Sequence, residues 1–146
     1  MDNLEIKIAD IKHAQIVFEL DSQYEMDKYS LENIKSSLEQ ESGFNLLVWS
    51  EGKAIAYASF NVVYDEVELL KIVVGKDFRR RGIAEKLMGF AISNLKTIDV
   101  HTMYLEVRKS NIPAISLYKK LGFEQINERL KYYNDGEDAK IFKLVF

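Results

Sequence analysis

The chain has 146 residues, no cysteine and a formal net charge of −3. This length fits one domain, so we expect residues 1–146 to form a single domain. The lack of cysteine excludes disulfide scaffolds and thiolate chemistry, and the negative net charge argues against a domain-wide basic surface for nucleic acid. No apolar run reaches the roughly 18–20 residues of a membrane-spanning helix, and the start of the chain does not resemble a signal peptide. We therefore expect a cytoplasmic protein without nucleic-acid or membrane partners.

Apolar periodicity and turn residues predict the element order β-α-α-β-β-β-α-β-α-β-β. The predicted strands are residues 4–8, 44–50, 54–63, 67–74, 103–107, 123–130 and 139–145. The predicted helices are residues 11–20, 31–41, 83–95 and 113–121, and residues 21–30 are predicted to form a loop. Asp10 and Ser30 are residue types that begin helices, and Gly43 is of the type that ends them. The order predicts an α/β (α+β) protein with a mixed sheet and helices on both faces.

Two stretches of the chain add detail to this prediction. Within residues 67–74, Leu69-Leu70 and Ile72-Val73-Val74 are apolar on both faces of the predicted strand, which is typical of a strand near the middle of a covered sheet. Residues 134–136 read Asn-Asp-Gly and predict a hairpin between the last two strands.

The segment Arg79–Ala84 lies between an apolar strand and a long helix. The first N–H groups of a helix have no intrahelical partners, so an anion fits there. Gly82 and Ala84 leave room for a diphosphate to approach the backbone, and three arginines add positive charge. The alternative is a solvated basic turn before a surface helix. The sequence lacks both the G-x-x-x-x-G-K-S/T loop and the G-x-G-x-x-G turn, which disfavours ATP hydrolysis and nicotinamide chemistry.

Two motifs resemble the signatures of the GNAT acetyltransferases. R-x-x-G-x-A at residues 79–84 is similar to the first signature, and N-x-x-A-x-x-L-Y-x-x-x-G-F at residues 111–123 to the second. The resemblance implies the GNAT fold, a central mixed, mostly antiparallel twisted sheet of about seven strands flanked by four helices. It also implies an acyl-CoA N-acyltransferase that uses acetyl-CoA.

A narrower resemblance is to the RimI type, the ribosomal-protein N-terminal alanine acetyltransferases. It is carried by L-E-V-R-x-S-N at residues 105–111, V-V-Y-D-E-x-E-L-L-x-I at residues 62–72 and R-L-K-Y-Y at residues 129–133. That group often has a Pro-Trp pair in the loop before the second helix, where this chain reads Met26-Asp27-Lys28-Tyr29. Because this loop helps to shape the acceptor site in the family, the departure leaves the exact acceptor open.

Acyl transfer from a thioester to an amine needs a neutral amine, a stabilised oxyanion and a protonated leaving thiolate, but no covalent enzyme intermediate. Glu106 alternates with two apolar strand residues, and the resemblance makes its carboxylate the general base. The alternative is a solvent-facing glutamate, or one paired with Arg108 or Lys71. The resemblance makes the Tyr118 phenol the general acid, the alternative being a core aromatic.

The resemblance also implies an acetyl-CoA site and an acceptor site. The backbone of residues 72–74 would pair with the pantetheine arm, and an N–H near Val73 or Val74 would stabilise the oxyanion. The implied acetyl-CoA-binding residues are Ile72, Val73, Val74, Arg79, Arg80, Arg81, Gly82, Ile83, Ala84, Asn111 and Tyr118. The candidate acceptor-binding residues are Tyr29, Glu66, Glu68, Tyr132 and Tyr133, for which solvated carboxylates and packing aromatics are the alternatives. We expect no metal site, and His13 and His101 have no assigned role.

The ordinary pKa values of amines favour an N-terminal acceptor. An α-amine titrates near 7.7–8.0 and a lysine amine near 10.4, so a modest base such as Glu106 suits a chain N-terminus better. We therefore expect acetylation of a protein N-terminus, that of the alanine-starting ribosomal protein used by the RimI type. The alternatives are a small-molecule amine acetyltransferase, acting on a polyamine or an aminoglycoside-like amine, and a non-catalytic acetyl-CoA-binding module. The chain is expected to be a monomer or homodimer.

Overall fold

The computed structural model describes residues 3–24 and 27–146. Within them the strands are β1 (Leu4–Ile8), β2 (Gly43–Ser50), β3 (Lys53–Val63), β4 (Glu66–Val74), β5 (Thr102–Arg108), β6 (Glu124–Arg129) and β7 (Ala139–Val145). The α-helices are α1 (Ala14–Asp21), α2 (Leu31–Glu39), α3 (Ile83–Thr97) and α4 (Ile112–Lys120). This confirms the predicted α/β class and element order.

The seven strands form one sheet in the order β1-β2-β3-β4-β5-β7-β6. Every neighbouring pair is antiparallel except β4 and β5, which are parallel. A parallel pair needs a long crossover connection, and α3 lies in the segment that joins these two strands. β4 occupies the middle of the sheet, as its apolar sequence predicts, and β6 and β7 are paired as the predicted hairpin.

β4 and β5 pair only over Glu66–Glu68 and Thr102–Tyr104. β4 then continues to Val74, and β5 continues to Arg108 while pairing with β7 on its other side. The two strands therefore part, and we call the space between them the β4–β5 gap. One wall of this gap is a backbone edge of β4 that has no partner strand, so its N–H and C=O groups need other partners.

Hydrophobic cores cover both faces of the sheet, as predicted. On one face, Leu87 of α3 and Ile115 of α4 pack with sheet residues such as Phe142. On the other face, Val17 of α1 and Ile34 of α2 pack with sheet residues of their own. Helices on both faces leave the β4–β5 gap as the opening in the middle of the layered structure.

A β-bulge at Leu70 changes the alternation of β4. No residue of β3 lies opposite Leu70, because the register shifts at this point. Val67 and Leu69 before the bulge therefore share a core with Ile72 and Val74 after it. Leu70 itself is 39% exposed, so the prediction that the apolar residues of this strand lie on two covered faces is wrong at this position. The extra residue of a bulge leaves the regular alternation and turns outward here.

The helix starts follow the predicted capping residues more closely than the helix ends do. Ser30 begins α2 and accepts a hydrogen bond from a backbone N–H of the first turn. Asp10 caps a short 3-10 turn, Ile11–His13, that precedes α1. Gly43 does not end α2, contrary to the prediction. Gln40 ends it by adopting an extended conformation, and Gly43 is already the first residue of β2.

In the described part of the chain, no helix is long and apolar enough to cross a membrane. Across residues 3–24 and 27–146, no three His, Cys, Asp or Glu side chains are grouped to hold a metal ion. The assignment of residues 1–146 to a single domain stays a prediction.

Candidate active site at the gap between two strands

The backbone of β4 faces β3 and the gap alternately. Gly75, directly after the strand, donates its N–H to the carbonyl of Ile55 in β3 at 2.8 Å. Because alternate residues of a strand present their backbone groups to the same edge, Val73 also faces β3, and Ile72 and Val74 face the gap. All three side chains are buried, as predicted. Within residues 72–74, the backbone groups that face the gap thus belong to Ile72 and Val74.

Two side chains donate hydrogen bonds to the gap-facing carbonyls of β4. The Tyr24 hydroxyl donates to the carbonyl of Ile72 at 3.4 Å, and Arg79 Nε donates to the carbonyl of Val74 at 3.0 Å. The Arg79 guanidinium also lies 5.0 Å from the centre of the Tyr24 ring. These contacts tie the start of the arginine turn to the end of β4.

The remainder of the arginine turn leads directly into α3. Gly82 precedes the helix with a φ of 73°, a left-handed conformation that favours glycine. No side chain of the described residues caps this helix, so the N–H groups of its first turn, at Ile83 and Ala84, lack helical acceptors. No heavy atom lies within 4 Å of the place where a Cβ on Gly82 would stand. With Arg80 and Arg81 exposed beside it, this end of α3 suits an anion.

Asn111 begins α4. Its side-chain oxygen accepts a hydrogen bond from the N–H of Ala114 at 3.3 Å, and Pro113 stands in the first turn. The capping role predicted from residue type is thus confirmed, whereas the contact to acetyl-CoA stays a prediction.

Tyr118 lies two turns into α4 and is 8% exposed. Its ring packs against Phe123 and Phe142, with ring centres 5.8 and 6.5 Å away. Burial, and after it the nearby phenols of Tyr24 and Tyr133, raise the pKa of Tyr118 above its ordinary value. Tyr118 is therefore a core aromatic that keeps its proton at neutral pH and lies close to residues at the gap.

Glu106 points to the face of β5 opposite its two apolar neighbours, as the alternation predicts. Its carboxylate lies 3.8 Å from Nε of Arg129, and neither Arg108 nor Lys71, the partners considered from sequence, is bound to it. The Tyr132 phenol lies near the Glu106 carboxylate, which raises the pKa of Tyr132. The structure thus brings Glu106 and Tyr132 together, and adds Arg129, to which the sequence assigned no site role beyond its place in the R-L-K-Y-Y motif.

Glu68 lies where β4 and β5 part. Loss of hydration and, second, the negative charge of Glu106 raise the pKa of Glu68, while Arg129 acts in the opposite direction. Glu66 lies two residues earlier, at the paired end of the two strands. Of the two predicted acceptor-binding glutamates, Glu68 is the one that shares its surroundings with Glu106.

Arg108 joins the loop before α2 to the β6–β7 hairpin. Its Nε and Nη2 donate to the two carboxylate oxygens of Asp27 at 2.8 and 2.9 Å. Its Nη1 donates to Asp135 at 2.8 Å and to Glu137 at 3.1 Å. The guanidinium carbon lies 4.1 Å from the centre of the Tyr133 ring. One cation therefore fixes the aromatic residue predicted to line the acceptor site.

The carboxylates of the hairpin are also held by backbone N–H groups. Asp135 accepts from the N–H of Glu137 at 3.1 Å, and Glu137 accepts from the N–H of Ser110 at 2.7 Å. These hydrogen bonds, together with Arg108, lower the pKa of Asp135 and of Glu137. Both carboxylates consequently stay ionised at neutral pH and hold the hairpin against the start of α4.

Asp21, the last residue of α1, is completely buried. It accepts hydrogen bonds from the Tyr57 hydroxyl at 2.7 Å and the Tyr29 N–H at 2.6 Å, and Lys71 Nζ lies 2.5 Å from it. Lys71 Nζ also lies 4.0 Å from the centre of the Tyr29 ring. Tyr29, a predicted acceptor-binding residue, is thus fixed by a buried ion pair.

A family model described as the Acetyltransferase (GNAT) family matches residues 10–123. The chain belongs to the GNAT acetyltransferase family. It is therefore an acyl-CoA N-acetyltransferase, and the resemblance drawn from two motifs is confirmed.

Relatives of known name match most of this GNAT chain. The [ribosomal protein bS18]-alanine N-acetyltransferase of Salmonella typhimurium is 42% identical over 103 residues, which cover 68% of this chain and 70% of that protein. The crystal structure of the ribosomal-protein-S18-alanine N-acetyltransferase from Escherichia coli matches with a TM-score of 0.90 at 32% identity, covering 98% of this chain and 94% of that one. PaiA N-acetyltransferase from Thermoplasma acidophilum, solved in complex with coenzyme A, shares the fold with a TM-score of 0.84 at 16% identity, covering 99% of each chain.

Most of the predicted site residues of the GNAT acetyltransferase fall into two groups around the gap, and Val73, Asn111 and Glu66 belong to neither. The first, which we call the turn side, comprises Ile72, Val74 and Arg79–Ala84. The second, which we call the hairpin side, comprises Tyr29, Glu68, Glu106, Tyr132 and Tyr133. Tyr118 belongs to the core on the opposite face of the sheet from Glu106, and its phenol lies near the gap.

Several residues of the hairpin side carry contacts that the sequence did not reveal. Asp21, Arg129 and the ion pairs of Asp27 and Arg108 depend on segments far apart in the chain, so no local pattern could have shown them. The weak signal available was the position of Arg108 within the L-E-V-R motif. Met26, which the sequence assigns to the loop before α2, lies outside the described residues.

Proposed function

We propose that this acetyltransferase modifies the α-amine of a protein N-terminus, that of an alanine-starting ribosomal protein. The named relatives at 32–42% identity support this acceptor. The observation that carries the proposal is the location of a carboxylate, Glu106, and a buried phenol, Tyr118, beside the same gap. These are the two groups that a direct transfer from a thioester to an amine requires.

The turn side suits acetyl-CoA as the donor. The N–H groups of Ile72 and Val74 face the gap and can donate to carbonyl oxygens of bound acetyl-CoA, as a sheet edge donates to an added peptide, while the carbonyls of both residues are held by Tyr24 and Arg79. The uncapped N–H groups of Ile83 and Ala84, with Arg80 and Arg81, would bind the pyrophosphate. Arg79 would act by holding the turn to β4, and Asn111 would contact the CoA arm in addition to capping α4.

Glu106 would act as general base. Its carboxylate would take a proton from the acceptor amine, directly or through water, while the nitrogen forms its bond to the acetyl carbon. Tyr132 and Arg129 hold this carboxylate at the hairpin side, so it is oriented before the acceptor arrives. The N–H of Val74 faces the gap and is suited to stabilise the oxygen on which negative charge develops.

Tyr118 would act as general acid. As the carbon–sulfur bond breaks, the phenol would give its proton to the departing thiolate. The phenol keeps its proton at neutral pH, so a proton is available when the thiolate forms. Because burial raises the pKa of Tyr118, the transfer would require direct contact between the phenol and the departing sulfur.

The surroundings of Glu106 suit a cationic, narrow acceptor. Glu68 and Glu106 attract an ammonium group, and Glu66 adds negative charge at the paired end of the two strands. Tyr132 and Tyr133 offer aromatic faces beside these carboxylates, with ring centres 5.2 Å apart. A chain N-terminus provides both a cationic amine and a backbone that can lie along such faces.

Three acceptors offered in parallel test the proposal. A peptide that begins with alanine, the same peptide with its N-terminus blocked and a lysine inside, and a polyamine are each incubated with acetyl-CoA. We expect acetyl on the first residue of the free peptide, located by fragment mass spectrometry, and none on the blocked one. Modification of the polyamine alone would contradict the proposed acceptor and favour the small-molecule alternative. Glu106→Gln serves as the control for spontaneous acetylation.

A further inference from the structure

Asp27 is in contact with both strands that border the β4–β5 gap. Lys71 of β4 donates to the Asp27 backbone carbonyl at 2.5 Å, and Arg108 of β5 donates to both Asp27 carboxylate oxygens. β4 and β5 have already parted before these positions, since their pairing ends at Glu68 and Tyr104. Asp27 therefore spans the gap, and we call the three residues Lys71, Asp27 and Arg108 the Asp27 bridge.

Both cations of the bridge are themselves fixed. Lys71 lies 2.5 Å from the buried carboxylate of Asp21. Arg108 has an 11% exposed side chain and is bound by Asp135 at 2.8 Å while lying on the Tyr133 ring. Because each cation is also bound to another carboxylate, the two strands set the position of Asp27.

The bridge itself stands at the solvent side of these contacts. The Asp27 side chain is 48% exposed, and its φ of 56° is a left-handed value that aspartate adopts more readily than most residues. An ion pair exposed to this degree adds little to the stability of a fold. Two parallel hydrogen bonds from a planar guanidinium do, however, set direction as well as distance. The contact is thus better suited to position the loop than to stabilise the protein.

We propose that the Asp27 bridge positions one wall of the acceptor site and thereby determines which acceptor chain ends are used. This rests on the proposed function, because the wall matters only if a chain end enters from the hairpin side. The bridge joins the loop that carries Tyr29 to the hairpin that carries Tyr133. None of its contacts reaches the arginine turn at residues 79–84, so a change at Asp27 should leave the proposed pyrophosphate site unaltered.

Asp27→Asn is the decisive variant, because asparagine keeps the side-chain shape and tolerates the left-handed φ but removes the charge. Steady-state kinetics with an alanine-starting peptide should give a peptide KM about 2- to 5-fold higher, the range expected for losing one partly exposed charge pair. The KM for acetyl-CoA should stay unchanged. The preference for the alanine-starting peptide over the same peptide starting with leucine should fall, because the wall is less fixed.

Two further variants separate positioning from general damage. Glu32→Gln removes one exposed carboxylate from the first turn of α2, in the same region, and should leave both KM values unchanged. Arg108→Lys keeps the charge but loses the paired hydrogen bonds, and should raise the peptide KM as Asp27→Asn does. The double variant should raise it by less than the product of the two single effects, because both changes break the same contact.

An unchanged peptide KM and an unchanged alanine preference in Asp27→Asn would overturn the proposal, as would an equal rise in the KM for acetyl-CoA. If the unaltered protein acetylates a polyamine and no peptide, the proposed acceptor fails, and the bridge is then tested on the polyamine KM. A higher polyamine KM in Asp27→Asn would show that the bridge positions the site for another acceptor. An unchanged polyamine KM would show that the bridge has no positioning role.

Discussion

The turn side and the hairpin side of the gap present different kinds of chemical group. The turn side presents backbone: the free edge of β4 and the uncapped first turn of α3, reached through a left-handed glycine. The hairpin side presents side chains, and its main contacts are ion pairs such as Arg108 with Asp27 and Lys71 with Asp21. A backbone site depends on local geometry, whereas a side-chain site depends on partners from distant segments. The two sides should therefore respond differently to substitution.

Asp21, which fixes Tyr29 of the hairpin side, should show the largest effect on stability. Asp21→Asn leaves Lys71 as a nearly buried cation without its carboxylate, and we expect a loss of about 3 kcal/mol in the free energy of unfolding. Thermal denaturation should show a fall in Tm on the order of 10 °C. Asp10 is an exposed capping residue in the same N-terminal part of the chain. Asp10→Asn should shift the Tm far less, since asparagine also caps helices. Equal shifts in Tm in the two variants would show that the buried ion pair stabilises the fold no more than the exposed cap does.

Tyr118 stands between the two sides and should show the largest effect on turnover alone. Tyr118→Phe keeps the ring packed against Phe123 and Phe142 but removes the proton that the thiolate would take. We expect kcat to fall by about 10²–10³-fold. Binding of acetyl-CoA, measured by calorimetry, should stay unchanged. Unaltered turnover would remove the phenol from the mechanism and leave Tyr118 as a packing residue.

The turn side can be tested by making the same Gly→Ala substitution at two nearby positions, one in the turn and one inside α3. Gly82→Ala forces a left-handed φ of 73° on a residue with a Cβ, a cost of about 1 kcal/mol that the turn can escape only by moving. We expect the KM for acetyl-CoA to rise about 5-fold, with the peptide KM unchanged. Gly89→Ala, inside α3 with open space around it, should instead raise stability by about 0.5–1 kcal/mol. A rise in peptide KM in Gly82→Ala would mean that the two sides are not independent.

The same contrast explains how far the sequence alone could reach. The motif at residues 79–84 predicts the turn side because a left-handed glycine before a helix is a local property of the chain. Glu106 could be placed on the correct face of β5 because alternation is local as well. The partner of Glu106 could not be predicted, since Arg129 reaches it only after β6 and β7 have folded back beside β5. The bulge at Leu70 could not be predicted either, because it is defined by the register between β4 and β3.

The smallest effect concerns the charge balance of the hairpin side, and it can be measured at Glu68. Loss of hydration and the charge of Glu106 hold the pKa of Glu68 above its ordinary value, and Arg129 partly offsets them. Glu106→Gln should therefore lower the pKa of Glu68, and Arg129→Gln should raise it further. Carboxyl titration by NMR reports both shifts directly, and shifts of the same sign in the two variants would contradict the arrangement.

The same pKa fixes how Glu68 links pH to stability. A carboxyl group whose pKa is higher in the folded state is harder to ionise there than in the unfolded chain. Its contribution to stability is therefore fully present below the unfolded pKa and is lost as the pH rises through the folded pKa. Glu68→Gln should remove this loss, so the difference in Tm between the variant and the unaltered protein should grow from acidic toward neutral pH. Because Glu106 is the second cause of the raised pKa, that growth should be smaller when Glu106→Gln is already present.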